Sequence, residues 1–576
     1  MKNLKLIFRL GVLFTGTLFV SSGLVRAQNA TLTWDPSSTG TGSYGSGTWD
    51  VGTTSDWATG TGDTVWQNNS FQGIFGGTNT GSVATVTLVA PISADSLVFN
   101  TSGYDLVSSA PADTLTITGG NSITVNNNSS EEIDAELSGG SVITPGSPGS
   151  GTAGSSLRVV VNTGSTLTLG GGVVDLGGGR TFSFGGGGTL NLDGSSNYYG
   201  FSSLNAGGGA IVQNAGSIVS GANGAGGPSF FDKPNVELGN GTAGGGTGTY
   251  TINGAGAVLN AFNGDVGNAN NYTLAVENGT ASIGNQLNIG NNSGTALTDA
   301  VTVSGTGNLI VNSSTSVVTS GTTGVAASLN VNGGVVDTLG GISLGGNTAS
   351  SSSAALNVSG GILAVGQAGI TTTGDANTIT LSGGTVSGTQ GWVSNANMTL
   401  SNANGGVTFQ TSDIGSTIAG SIGGTNSNGY TQTGAPISIG LTGNLSGTGG
   451  LKVTGSGFLS LSGVNTFSGV AEVTSGAELT LDSNTALGAL STLTLDSGSL
   501  VDLDFSGVDT IFSLDVNGVA QASGFYTAAD LGGDGDDNGQ GGELFVTAPE
   551  PSTYVMLGMG AIALLAIGAR RRRMQP

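Results

Sequence analysis

The chain has no cysteine and no histidine. Without cysteine no disulfide can staple it, so its stability must come from packing and ladder hydrogen bonds, even in a compartment where disulfides form. Without histidine it lacks the commonest general base and the commonest metal ligand. Ser/His/Asp and Cys/His nucleophile systems are thereby excluded, and no lysine stands in a phosphate-loop motif. Charged residues are scarce too, at 8% of the chain.

The few charges are placed unevenly. Of the 12 basic residues, Lys2, Lys5, Arg9 and Arg26 lie at the start and Arg570, Arg571, Arg572 and Arg573 at the end. Residues 28–548 keep four, Arg158, Arg180, Lys233 and Lys452, against all but one of the 35 acidic groups, a net charge of −30. A body this acidic will not condense on phosphate backbones, so no nucleic acid is expected as a partner. The charge serves solubility first.

What is present in quantity is glycine, 109 of 576 residues, with 36% hydrophobic residues and only 11 prolines. That apolar content is enough for a core. Gly, Asn, Ser and Thr supply tight turns, and branched apolar residues fit pleated strands. The composition predicts an all-β, repetitive chain with no helix of consequence outside the termini. At this glycine content Gly-x-Gly-x-x-Gly triplets arise by chance, and no cofactor is expected.

One pattern recurs between residues 250 and 385: apolar, polar, apolar, one or two polar residues, then glycine. Its apolar pairs are Tyr250/Ile252, Leu274/Val276, Val301/Val303, Leu329/Val331, Leu356/Val358 and Ile379/Leu381, and the second members step by 24, 27, 28, 27 and 23. Alternation at period two puts each pair on one face of a strand, and the glycine turns the corner. A repeat of this length is short for a four-stranded propeller blade and suits one coil of a parallel β-helix. Roughly fifteen coils spaced by about 4.8 Å would make a rod on the order of 70 Å.

Both termini carry addresses. Lys2, Lys5 and Arg9 precede an apolar stretch, Leu10 to Val20, and then Val25-Arg26-Ala27. This is the pattern of a secretory signal, with cleavage expected between Ala27 and Gln28 by signal peptidase after export through the Sec machinery. At the other end Pro549-Glu550-Pro551 is followed by an uncharged run from Thr553 to Ala569 and then Arg570 to Arg573. Seventeen residues of helix span about 25 Å, just short of a ~30 Å hydrocarbon core. The arginines would stay on the cytoplasmic side and leave the body outside.

The arrangement over residues 549–573 resembles the PEP-CTERM sorting domain. That resemblance implies recognition of Pro549, Glu550 and Pro551 by an inner-membrane exosortase. The tail would insert transiently, and the protein would then be released towards the cell surface or an exopolysaccharide matrix.

A second resemblance covers residues 447–481. Leu459, Leu461, Gly463, Asn465, Thr466, Phe467 and Gly469 follow the Leu-x-Leu-x-Gly-x-Asn-Thr-aromatic-x-Gly core of the autotransporter-associated β-strand repeat. It implies a right-handed, passenger-like β-helix. The chain departs from true autotransporters in having no C-terminal outer-membrane barrel, whose place the sorting tail takes.

Three further features admit more than one reading. Trp34, Trp49, Trp57 and Trp66 fall within residues 28–118, where they could fill the core of a β-rich N-terminal cap or form a platform for sugars. Carboxylate catalysis of the glycosidase kind needs only two acids. Asp502 with Asp504, and Glu132 with Asp134 and Glu136, fit better as the solvated face of amphipathic strands. Asp534, Asp536, Asn538 and Gly539 copy the first half of a calcium loop, but Phe545 stands where a bidentate acid is required, so a solvated turn is expected.

The expected order is a signal peptide (1–27), cap (28–118), β-solenoid (119–446), autotransporter-like repeats (447–530), acidic linker (531–548) and sorting signal (549–576). The expected function is a structural or adhesive component of the cell surface or exopolysaccharide matrix, without catalytic or metal residues. The alternative is a polysaccharide-active or carbohydrate-binding β-helix.

Overall fold

The computed structural model describes residues 30–547, except 69–70, 111, 118–122, 127–129, 135–156, 171–173, 176–180, 195–197, 201–202, 220–234, 240–246, 268, 291–296, 318–323, 346–351, 375, 414–433 and 533–539; beyond 547 it describes Ile562 alone. Apart from that residue, the described helix is one 3-10 turn, Ala528–Leu531, and everything else regular is strand. The strands are short, mostly three to five residues, and they pair in parallel with the strand one repeat away.

One coil shows how the sequence makes the shape. Gly248–Ile252, Val258–Ala261 and Asn263–Val266 each start a new face after a bend. The next coil repeats them as Tyr272–Val276, Thr280–Ile283 and Leu287–Ile289. Every strand pairs in parallel with its counterpart, so three ladders run along the molecule. This is the arrangement of a parallel β-helix.

The register is the one the repeat spacing predicts. Ile252 pairs with Val276, Val276 with Val303, Val303 with Val331, Val331 with Val358 and Val358 with Leu381. All twelve residues of the six apolar pairs are buried. In-register stacking places each apolar side chain on its equivalent in the coil below, giving one continuous core. Each fully buried Val, Leu or Ile contributes about 1.5–3 kcal/mol relative to exposure.

Gly254 shows why glycine stands at a corner. A Cβ built there would overlap the carbonyl oxygen of Asn214 in the preceding coil, so only a bare backbone lets the coils close to ladder spacing.

One face is a sheet of fifteen strands, and a five-stranded sheet continues it from Trp392–Ser394 to Leu500–Leu503. The tryptophan-rich segment enters these ladders directly. Thr31–Trp34 pairs in parallel with Gln72–Phe75, and Gly47–Trp49 with Ala84–Leu88. The outer edge of Thr31–Trp34 is covered by antiparallel Trp57–Ala58, itself followed by Asp63–Thr64, so the exposed edge is two residues long. Edges this short resist pairing with other chains.

The far end is closed by residues expected to be linker. Glu543–Val546 pairs in parallel with Val508–Ile511 and antiparallel with Gly524–Tyr526. Leu544 and Val546 are fully buried, and Leu531 of the 3-10 turn is buried as well. The segment 531–548 thus holds the last strand of the body and is not a free spacer along its described length. Its alternation, apolar at 544 and 546, is a strand signal that the surrounding Gly and Asp obscure.

Candidate functional site

The sites read from the sequence fall in two groups. Ala27 and Gln28, Pro549, Glu550 and Pro551, the apolar run 553–569 except Ile562, and Arg570 to Arg573 all lie outside the described residues. So do Asp534, Asp536, Asn538 and Gly539. No helix among the described residues is long and apolar enough to cross a membrane. No cluster of three or more acidic groups among them is placed to hold a metal ion. If the acidic loop is a solvated turn, millimolar Ca²⁺ leaves the melting temperature of the protein unchanged, because a ligand specific to the native state would raise it. A rise of several degrees, lost on replacing Asp534 and Asp536 with Asn, overturns that reading.

The weighed carboxylates are placed as follows. Asp502 and Asp504 face outward, while Val501 and Leu503 between and beside them are fully buried. Asp502 stands opposite Thr480 on the neighbouring coil. Ser130–Asp134 is a strand that pairs in parallel with coils on both sides, with Ile133 opposite Leu106 and Leu169. Glu136 lies outside the described residues.

The tryptophans are in the core. Trp34, Trp49, Trp57 and Trp66 are at most 1% exposed, so none presents a face to a sugar. Trp57 contacts Trp66 at 4.6 Å and Trp34 at 5.3 Å, and Phe75 stacks on Phe99 at 4.9 Å. Their bulk fills the first coils.

A second set of polar residues, with no signature in the sequence, points inward. Glu131 Oε2 accepts the Tyr104 backbone N–H at 2.8 Å, and Asp299 Oδ1 accepts that of Tyr272 at 3.0 Å. Asn465 Oδ1 accepts from Leu445 N–H at 2.7 Å and Asp509 Oδ2 from Leu487 N–H at 2.9 Å. Each reaches one coil back, to a donor at a bend, and each is buried. A bend breaks the ladder, and a side-chain oxygen satisfies the N–H that the ladder leaves over. These groups join coils. They do not converge on a cavity.

Burial pushes the Glu131 carboxyl up to about 8, with the Tyr104 N–H opposing, and the Asp509 carboxyl up to about 6, with Leu487, Thr510 and Ala486 opposing. A carboxyl whose folded pKa is raised favours folding fully below its unfolded pKa and loses that contribution as pH climbs through the folded value. The window for Glu131 therefore runs from about pH 4.5 to about 8. Glu131→Gln keeps the acceptor for Tyr104 without the charge. We expect it to raise the melting temperature by several degrees at pH 9 and leave it nearly unchanged at pH 4. Parallel curves for variant and parent across this range contradict the assignment.

On another face, a shallow groove of about 340 Å³ is lined by Asn402, Thr408, Lys452 and Glu472 among others. Lys452 Nζ donates to Glu472 Oε1 at 2.6 Å. Both side chains are a third or more exposed, so the pair adds little to stability.

Comparison with known proteins bears on the C-terminus. Residues 547–573 match the family model described as the PEP-CTERM protein-sorting motif. No curated protein matches the chain. The motif marks an exported protein that transits the membrane and is sorted by an exosortase towards the cell surface. The match begins at Thr547, whose N–H and Oγ1 both donate to the Ile511 carbonyl at 3.1 Å. Sorting signal and folded body therefore meet with no spacer between them.

Proposed function

We propose that the protein is a structural or adhesive component of the bacterial cell surface or exopolysaccharide matrix, displayed as a β-solenoid stalk after its tail has been removed by an exosortase. The observation that carries this reading is the sorting motif at residues 547–573 joined directly to a stack of coils. Signal peptidase would cut between Ala27 and Gln28, Sec would export the chain, and exopolysaccharide is the natural neighbour of the released body. The stalk would coil right-handed, as parallel crossovers do, and residues 447–530 would belong with the autotransporter-associated repeats.

The placement of Leu459 to Gly469 supports that last assignment. Leu459, Leu461 and Phe467 are fully buried, Asn465 bridges coils, and a Cβ at Gly463 or Gly469 would strike the backbone of the coil before it. These six motif positions thus have a packing reason, whereas Thr466 is exposed. We assign the protein no turnover, a reading supported by the buried Glu131, Asp299 and Asp509, whose carboxylates are engaged by backbone N–H groups of the preceding coil.

The test is to delete the gene and assay both matrix cohesion and glycan breakdown. A structural role predicts loss of surface attachment or cohesion, and no hydrolysis of matrix polysaccharide by purified protein. Hydrolysis that disappears in Asp502→Asn/Asp504→Asn would establish the enzymatic alternative instead.

A further inference from the structure

The end of the solenoid from which the sorting tail departs also carries exposed aromatic surface. Phe525 is 60% exposed and Phe512 is 45% exposed. Phe525 lies opposite Phe545 across the antiparallel pair, with ring centroids 4.8 Å apart. Phe545 in turn is opposite Thr510, two residues before Phe512. Thr547 Oγ1 reaches the Phe512 carbonyl at 3.5 Å, so the chain leaves the body beside this patch. Apolar rings gathered at one place on a surface mark a contact site.

The chain beyond Thr547 says what covers it. Only residues 548–552 separate Thr547 from the start of the apolar run at Thr553. Fully extended, that stretch reaches about 20 Å. The headgroup zone on each side of the hydrocarbon core is itself several ångströms deep. A body tethered this closely is held at high effective concentration against the bilayer, where even a weak contact is occupied.

We infer that the terminal coil is a membrane-docking face. Phe512, Phe525 and Phe545 rest in the headgroup region of the outer leaflet while the tail is inserted, and docking holds Pro549, Glu550 and Pro551 at the membrane surface. Glu543 on the same sheet, with Asp530 in the adjoining turn, makes the rim acidic, so the favoured surface is zwitterionic rather than anionic. The inference rests on the sorting-tail reading, and its test separates the two.

The absence of native cysteine permits a unique label. Full-length Phe525→Cys, carrying a polarity-sensitive fluorophore, is reconstituted in phosphatidylcholine vesicles with Val393→Cys as control, since Val393 is 58% exposed and lies on a coil far from the tail. Insertion of the tail is scored separately by resistance to alkaline extraction. With the tail inserted, quenching by headgroup-labelled lipid should be at least threefold stronger at 525 than at 393, and Phe512→Ser should reduce it. Equal quenching at both sites with an inserted tail overturns docking and leaves the sorting tail standing. Complete alkaline extraction overturns the membrane reading, and docking with it.

Discussion

Replacing Pro549, Glu550 and Pro551 with alanine is expected to leave the protein in the inner membrane with its tail intact, and to remove nearly all of it from the surface and medium. The segment from Thr553 to Ala569 is barely long enough to span, and four arginines behind it resist translocation. Without processing, nothing releases the body. Proline disfavours helix at its own position and the one before it, so an intact Pro549-Glu550-Pro551 is expected to offer a membrane-embedded peptidase a non-helical strip. Alanines would let helix propagate towards Thr547 and remove that strip. Fractionation with an antibody to the body checks the outcome. Normal release of the triple variant would show that the tripeptide is not what the processing step reads.

The second large effect is expected at Asn465. Its side chain is 5% exposed and bridges three coils, accepting from Leu445 N–H at 2.7 Å and donating to the Ala486 carbonyl at 2.6 Å. Asn465→Ala leaves a donor and an acceptor unpaired in the core, at about 1–3 kcal/mol each. A solenoid is held coil by coil, so the loss should open residues around 445–490 before the rest. Hydrogen exchange would register that as faster exchange in these coils alone. Asn465→Asp offers an internal check. It keeps the acceptor but can donate to Ala486 only when protonated, so its deficit should shrink at acidic pH. Asn444→Ala is the contrasting control, because Asn444 is exposed and its Oδ1 serves a single N–H, that of Val464. A deficit at Asn465 no larger than at Asn444 would mean that the bridge contributes little.

The parts of the fold visible in the sequence are those governed by periodicity. The spacing from Ile252 to Leu381 is the ladder register itself, because in a parallel stack one coil's worth of residues separates neighbours. The C-terminal sorting motif was legible for a different reason, since such a signal is a linear pattern that needs no fold to be read.

What escaped was set by three-dimensional hydrogen bonding. Glu131 stands in an acidic run, and nothing local says that it faces the core. Only the Tyr104 N–H one coil back decides it. The end of the body was hidden likewise. Glu543–Val546 has two apolar residues in a Gly- and Asp-rich setting, and its partners, Val508–Ile511 and Gly524–Tyr526, lie about 20 to 35 residues upstream. The tryptophans illustrate the reverse case. Their type allowed a sugar platform or a core, and burial of all four on one another selects the core.

The central claim is that a folded β-solenoid is cut from a membrane tail at its last strand. Mass spectrometry of the C-terminus of native extracellular protein tests it most directly. The account predicts a mature chain ending near residues 549–554, with Glu543–Val546 retained and no peptide containing Arg570 to Arg573. Extracellular protein that still carries peptides from 555–576 contradicts it, and a permanent anchor or another export route must then take its place.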